Sequence, residues 1–319
     1  MRSAVAGFRW PRATVPISNL YGWGFNTQKQ LGLGPTTPNP VTTPTAIDTN
    51  VWRSMAVGSS FSVGIKTNGT IWSCGVNDSG QLGRGVAPAV TDVFTQIGTG
   101  TTWSKVSCGF NHTIATQTDG TIWAWGNNSN YKLGIGTSLG TTSQYTPVLQ
   151  QTSVTTQDII WATSQNTFII KTSGTEGTLW ACGQGAGGTM GFGDTTLRDT
   201  PTQVGSATNW TGIVAVNNVT SAVNSAGELW ACGDNSLGQT GTGSTLPTNL
   251  LTLTNTSSGT SWSKIARAND TGFGIKTDGT LWSWGGSSTG LLGNGSATYL
   301  GLNYCVSPVQ VGTDTDWND

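Results

Sequence analysis

The sequence predicts an all-β fold, a β-propeller of six four-stranded blades, or seven if a C-terminal stub is completed. Three observations predict it. A five-residue motif returns six times, as LYGWG (20–24), IWSCG (71–75), IWAWG (122–126), LWACG (179–183), LWACG (229–233) and LWSWG (281–285). The closing glycines, Gly24, Gly75, Gly126, Gly183, Gly233 and Gly285, are spaced by 51, 51, 57, 50 and 52 residues. A period in this range, carrying several short strands per copy, is that of a propeller blade.

Each element of the repeat has its own reason. WSKVSCG, HTIATQ and TIWAWG in the third copy alternate as half-buried strands do. Asp119-Gly120 joins the last two as a tight hairpin, and Asn68-Gly69 and Asp278-Gly279 repeat it, because such turns need a positive φ that glycine accepts. Ser173-Gly174 and Ala226-Gly227 are weaker versions. A fourth strand fits the segments near Pro147-Val148, Pro201–Val204 and Pro308-Val309, since an outer edge tolerates proline. A Gly-rich loop follows each motif and ends in Gly-x-Gly.

A tryptophan opens most copies, at Trp52, Trp103, Trp210 and Trp262, and Trp317 opens a seventh that then stops. Residues 1–7 lie over 52–58 when shifted by 51. The whole chain, 1–319, therefore reads as one propeller domain, with repeats at about 1–51, 52–102, 103–156, 157–209, 210–261 and 262–316.

Composition excludes several functions. Charged residues are 9% and the net charge is −1, against roughly 25% charged in a typical globular protein. Nucleic-acid binding needs a basic footprint to displace counterions, and none is present. No apolar run approaches the ~18 residues of a membrane span. The N-terminal segment lacks the apolar core of a signal peptide. The five cysteines form no C-x-x-C pair, and neither a disulfide framework nor a metal site is expected. No cofactor motif is present.

The repeat also disposes of tempting residues. His112, the single histidine, occupies a position held elsewhere by Phe61, Asn166, Val219 and Thr271. A place that accepts Phe and Val is structural, so no catalytic residue is assigned and the chain is read as a non-enzyme. Apart from Trp10 and Trp161, the fifteen tryptophans fall on three repeat positions. Trp72, Trp123, Trp180, Trp230 and Trp282 are read as blade packing, and Trp123→Ala is expected to cost roughly 3–5 kcal/mol. Cys74, Cys182 and Cys232 share a slot with Trp23, Trp125 and Trp284, which marks it as buried and apolar. Asp314-x-Asp316 is too poor in ligands for calcium.

What varies between copies is the loop. The residues inside Gly-x-Gly are Leu33, Arg84, Ile135, Phe192, Thr242 and Asn294; Phe25, Lys29, Tyr131 and Lys132 vary as well. A rigid scaffold with variable loops is how binding faces are built. Phe25, Leu33, Arg84, Tyr131, Ile135, Phe192, Thr242 and Asn294 are therefore the candidate binding residues. As a loop residue, Arg84 should change stability by no more than ~0.5 kcal/mol when truncated.

The pattern G-x-x-H-T-x-x-x-x-T-D-G-x-[IL]-W-x-[WC]-G-x-N-x-x-G-Q-L-G-x-G, clearest in Gly109–Gly136 and Gly69–Gly85, resembles the regulator of chromosome condensation repeat. The resemblance covers essentially the whole chain and implies a propeller, usually of seven blades. Its members include an exchange factor for a small GTPase, a plant photoreceptor, secreted β-lactamase inhibitors and repeat proteins of bacteria and viruses. The chain lacks the basic tail of the first. It also lacks the Gly-Trp-Arg-His-Thr motifs of the second, reading GFNHT (109–113) and GSSFS (58–62) instead.

The expectation is a non-enzymatic structural or protein-binding module. The low charge and the wealth of Thr, Ser and Asn point to a phage or virus particle component at the surface, tail or capsid, with host attachment as one role. Its partners would be other particle proteins or a host surface molecule, and its place the virion, otherwise the cytoplasm. The alternative is an intracellular protein-interaction regulator such as a guanine-nucleotide exchange factor, or a secreted-type protein inhibitor.

Overall fold

A computed structural model describes residues 17–86, 88–151, 158–256, 259, 261–287, 290–295 and 303–317. The reading of residues 1–7 as a unit start lies outside them. The chain divides into two compact units, Met1–Thr167 and Phe168–Asp319.

The first unit holds two antiparallel sheets. One has the order β1 (Ile17–Gly24), β2 (Val41–Val57), β3 (Phe61–Lys66), β4 (Ile71–Val76), β5 (Val90–Gln96). Here β2 runs unbroken from the end of the first repeat into the second, and Trp52 pairs with both Ile17 and Lys66. The other is four-stranded: β6 (Trp103–Cys108), β7 (His112–Gln117), β8 (Ile122–Gly126), β9 (Gln144–Gln151). β10 (Ile159–Ala162) follows.

The boundary between the units falls inside β11 (Asn166–Ser173). In the second unit β12 (Glu176–Gly183) pairs with β13 (Arg198–Gln203). Two further four-stranded meanders are β14 (Trp210–Val216), β15 (Val219–Asn224), β16 (Leu229–Asp234), β17 (Asn249–Asn255) and β18 (Trp262–Ala268), β19 (Thr271–Lys276), β20 (Leu281–Gly286), β21 (Tyr304–Gln310). A single pairing, Gly177 with Trp210, links the first of these to β12. The proline segments fall on the outer strands β9, β13 and β21, where no ladder donor is lost.

The second strand of a repeat differs from the half-buried reading. The first five residues of β3, β7 and β15 are all buried. Within each unit a repeat packs its sheet against the next, so the middle strands have no solvent face. Their polar residues must then find partners inside. Ser62 Oγ donates to Gln30 O (2.7 Å), Thr113 Oγ1 to Gln81 O (3.0 Å), Thr167 Oγ1 to Lys132 O (2.8 Å) and Thr220 Oγ1 to Thr189 O (2.8 Å). In each case a strand of one repeat donates to the loop of the repeat before.

The slot shared by Trp and Cys serves the same carbonyls. Trp125 Nε1 reaches Gln81 O and Trp284 Nε1 reaches Gln239 O, both at 3.0 Å. Cys74 Sγ reaches Gln30 O (3.5 Å) and Cys232 Sγ reaches Thr189 O (3.4 Å). Both side chains are apolar bodies with one donor. Burial raises the Cys74 thiol and pushes the Cys232 thiol up to about 12, so both stay protonated and can donate.

The glycine closing each motif is a steric requirement. Gly75, Gly126, Gly233 and Gly285 have φ between 91° and 101°. A Cβ there would stand 2.0–2.7 Å from the carbonyl oxygen of Ser60, Asn111, Asn218 or Asp270.

The tryptophan of [IL]-W is half-buried and belongs to a local relay. Trp123 Nε1 donates to Thr121 Oγ1 (2.9 Å), which donates to Asp119 Oδ1 (2.7 Å). Trp282, Thr280 and Asp278 repeat it, as do Trp72, Thr70 and Asn68. Hydrogen bonds from Thr121 and Thr280 hold the Asp119 and Asp278 carboxyls below their usual range. Trp180 uses Thr178, and Trp230 uses Glu228 in place of the threonine. The fully buried tryptophans are Trp52, Trp125 and Trp284, two of them in the Trp/Cys slot.

Trp317 behaves as the start of another repeat. Its N–H donates to Gly279 O (3.2 Å), as Trp103 does to Gly69 O and Trp262 to Gly227 O. Unlike those two, its side chain is exposed.

Candidate functional site

In every meander the loops joining strands one to two and three to four emerge at the same end of the sheet, and the two-to-three hairpin at the other. The loop end is knitted together. Backbone N–H groups of Val76, Asn127, Asp234 and Gly286, where the third strand gives way to its loop, donate to Ser60, Asn111, Asn218 and Asp270 in the first loop of the same repeat. Neighbouring repeats are joined here too: Ser59 N and Oγ both donate to Phe110 O, and Asn217 Nδ2 donates to Asn269 Oδ1.

The Gly-x-Gly segments are latches between repeats. Gly34 N donates to Asp92 O, Gly85 N to Tyr145 O, Gly193 N to Leu251 O and Gly243 N to Val306 O, each acceptor on the fourth strand of the next repeat. Leu33 and Phe192 form β-bridges with Val93 and Thr252. The variable residues Leu33, Arg84, Ile135, Phe192, Thr242 and Asn294 are accordingly half-buried. Arg84 donates from Nε to Ser73 Oγ (3.1 Å) and from Nη2 to Thr91 Oγ1. Arg198 lies 4.6 Å over the Phe192 ring.

Of the other variable loop residues, Tyr131 is half-buried at φ 58°. Lys132 is buried, with Nζ donating to Asn111 Oδ1 (3.0 Å) and Ser164 O (3.1 Å), and burial lowers its ammonium to about 8. Phe25 is 70% exposed at the loop end. The structure adds residues of its kind: Phe110 (60%) and Val86 (72%) in loops of the first unit, and Leu246 (72%) in the loop between β16 and β17 of the second. No repeat pattern marks any of them.

His112 is enclosed. Thr167 Oγ1 spends its proton on Lys132 O, so His112 Nε2 must carry the hydrogen that joins it to Thr167 (3.1 Å). Nδ1 is left buried without a partner. Burial, assisted by the Lys132 charge, lowers the imidazole to about 3, a neutral ring with no access to substrate. Arg267, on β18, is the other buried cation. Nη1 donates to Ser221 Oγ (2.9 Å) and Gln239 O (3.0 Å), while Nε and Nη2 have no partner. Sequence reading missed it, although the same place holds Val57, Cys108, Ala162 and Ala215 in other repeats.

Among the described residues, no group of three or more His, Cys, Asp or Glu could hold a metal ion. No helix among them is long and apolar enough to cross a membrane.

Comparison with known proteins matches the model of the regulator of chromosome condensation (RCC1) repeat at residues 18–65, 68–116 and 119–164, and a second model of the same repeat at 52–81 and 103–131. Each match begins at or just before a third strand and runs into the first or second strand of the following repeat, so it spans the joint between blades. The chain is 28% identical over 218 residues to the ultraviolet-B receptor UVR8 of Arabidopsis thaliana, covering 63% of this chain and 45% of the receptor. It is 30% identical over 139 residues to the mouse regulator of chromosome condensation, covering 42% of this chain and 33% of that protein. The chain thus spans less than half of either relative.

Among solved structures, human WBSCR16 superposes with a TM-score of 0.76 at 18% identity, covering 92% of this chain and 79% of that one. Yeast Prp20p, whose structure was described with its binding properties to Gsp1p and histones, gives 0.61 at 16% identity, covering 94% and 87%. These likenesses show the fold: an RCC1-type β-propeller.

Proposed function

The chain belongs to the regulator of chromosome condensation repeat proteins, and from that premise we propose that it is a non-enzymatic module that holds a protein partner against the loop end of its first unit. One observation carries the reading: Phe25, Val86 and Phe110, all in the first unit, stand exposed on loops tied down by hydrogen bonds. Isolated apolar side chains on a pre-ordered polar surface are the anchors a protein interface uses, because little loop entropy is lost on binding. The hairpin end offers Asp119-Gly120 and Asp278-Gly279 turns. The relatives are cellular proteins of plants and animals, and they favour an intracellular interaction regulator over a particle component. The low charge of the chain is what speaks for the particle component.

The test compares the two ends. Phe110→Asp, Val86→Asp and Phe25→Asp are set beside Asp119→Lys in affinity capture from the source cells, followed by binding of the captured protein in purified form. Loss of binding in the loop-end variants alone is the expected result. Equal binding by all four chains would remove the loop end from consideration. Sedimentation of the native protein with particles at constant stoichiometry would instead select the particle reading. Failure to accelerate nucleotide release from a panel of small GTPases would remove the exchange factor.

A further inference from the structure

The second strand carries a lysine at or near its end in alternate repeats, Lys66, Lys171 and Lys276, with Gln117 and Asn224 at the matching place between them. Lys66 pairs across from Trp52 and Lys276 across from Trp262, the tryptophans that open their repeats. In repeats 2 and 6 the ammonium sits on indole. Lys66 Nζ is 3.6 Å from the Trp72 centroid and 5.1 Å from Trp52; Lys276 Nζ is 4.1 Å from Trp282 and 5.0 Å from Trp262.

The two lysines differ in their anion. Lys66 meets Asp48 Oδ2 at 3.9 Å. Asp48 lies on the fourth strand of the preceding repeat, opposite Leu20, the first residue of that repeat's motif. Thr256 takes the corresponding place before repeat 6: its N–H donates to Leu229 O, and Leu229 is the first residue of its motif. Among the described residues the ion pairs are Lys66–Asp48 and Arg198–Asp194; no carboxylate comes within salt-bridge distance of Lys276, although its charge helps hold the Asp278 carboxyl low. Asp278, two residues on, is bound to the Thr280 amide and hydroxyl.

Where Asp48 stands in the first joint, the second has a cleft of about 370 Å³ lined by Lys276, Trp282, Thr242, Thr256, Ser307 and Pro308. We propose that this cleft binds a small polyhydroxylated carboxylate, a sugar acid of the uronate class. The Lys276 ammonium would take the carboxylate in a charge-assisted hydrogen bond. The hydroxyls of Thr242, Thr256 and Ser307 suit sugar hydroxyls, and Pro308 gives an apolar wall for ring carbons. The volume is that of a small-ligand site. This site is independent of the loop-end protein interface, and either can stand without the other.

The test is calorimetric titration of the full chain at low ionic strength with D-galacturonate and D-galactose, which differ by the carboxylate. Galacturonate should saturate the protein at least about tenfold more tightly than galactose. Lys276→Met, which keeps the stem over the indole, should weaken galacturonate about tenfold and leave galactose unchanged. Thr256→Asp, which restores the first joint's carboxylate, should abolish galacturonate binding while holding or raising the melting temperature. Absent saturation by galacturonate, equal affinity for both sugars, or unaltered binding in Thr256→Asp would overturn the assignment; the last decides even if Lys276→Met fails to fold.

Discussion

In the first unit the Gln81 carbonyl accepts two hydrogen bonds from repeat 3, from the Trp125 indole and the Thr113 hydroxyl. In the second unit the Gln239 carbonyl accepts two from repeat 6, from the Trp284 indole and from Arg267 Nη1. The second donor differs because Gly272 stands where Thr113 stands. A Cβ on Gly272 would lie 2.3 Å from the Trp284 ring, so no hydroxyl fits there. Repeat 6 sends a guanidinium from its first strand instead, and leaves Nε and Nη2 buried without partners. What persists between joints is a pair of donors on one loop carbonyl. The residue types supplying them are free to change.

Removing the shared indole should have the largest effect. Trp125→Ala takes out a fully buried ring, its bond to Gln81 O and its edge contact with Trp103 at 5.9 Å. We expect a loss of about 3–5 kcal/mol in denaturant unfolding. Trp123→Ala, half-buried and bonded within its own hairpin, should lose clearly less, about 2 kcal/mol. A greater cost at Trp123 would place the core on the wrong tryptophan. Trp23, at the same place in the first repeat, is 61% exposed, against 0% for Trp125.

The next effect belongs to the joint that includes His112. Its imidazole stays neutral in the folded chain down to about 3, but takes a proton near 6.5 once unfolded. A base with a depressed folded pKa contributes stability that is full above pH 6.5 and is lost as pH falls towards 3. Between pH 7 and pH 4 this should amount to roughly 3 kcal/mol. His112→Phe, the residue of repeat 2 at this place, should remove that part of the acid limb. Superimposable stability–pH curves for the two chains would mean that water reaches the ring.

Arg267 tests whether the second donor must be charged. Arg267→Met keeps most of the volume, removes a buried cation with two idle donors, and leaves Trp284 on Gln239 O. We expect unchanged stability or a gain of about 1–2 kcal/mol. A loss beyond about 2 kcal/mol would show that the guanidinium holds more of the joint than Ser221 and Gln239 account for.

These joints also mark how far the sequence can be read. The motif [IL]-W-x-[WC]-G discloses the repeat, the strands and the hairpins, because glycine φ and apolar periodicity are local. It shows that the Trp/Cys slot is buried. It hides why those two alternate, because the acceptor is a backbone carbonyl in the preceding repeat and leaves no trace in composition. Gly-x-Gly looks like a loop tip for the same reason: the carbonyls of Asp92, Tyr145, Leu251 and Val306 that seat it are about sixty residues away in the chain. Arg267 was visible as the one charge in a column of small apolar residues. Phe110 and Leu246 were not, since exposed apolar residues in loops carry no period.

Arg84 gives the smallest test, and it bears on the latch. Read as a loop residue, it should be silent on truncation. In the structure its guanidinium bridges Ser73 Oγ, itself bonded to Leu82 O (2.9 Å), and Thr91 Oγ1 on the fourth strand of its own repeat. Burial lowers its guanidinium somewhat, as expected of a half-enclosed cation. Arg84→Ala should therefore cost about 1 kcal/mol, from two hydrogen bonds and a packed stem. Thr242→Ala, at the same place in repeat 5 with only a hydroxyl contact to Thr240 (3.1 Å), should cost less than about 0.5 kcal/mol. If the two variants melt alike, the middle residue of Gly-x-Gly adds nothing to the joint, and the glycine N–H bonds on either side of it carry the latch alone.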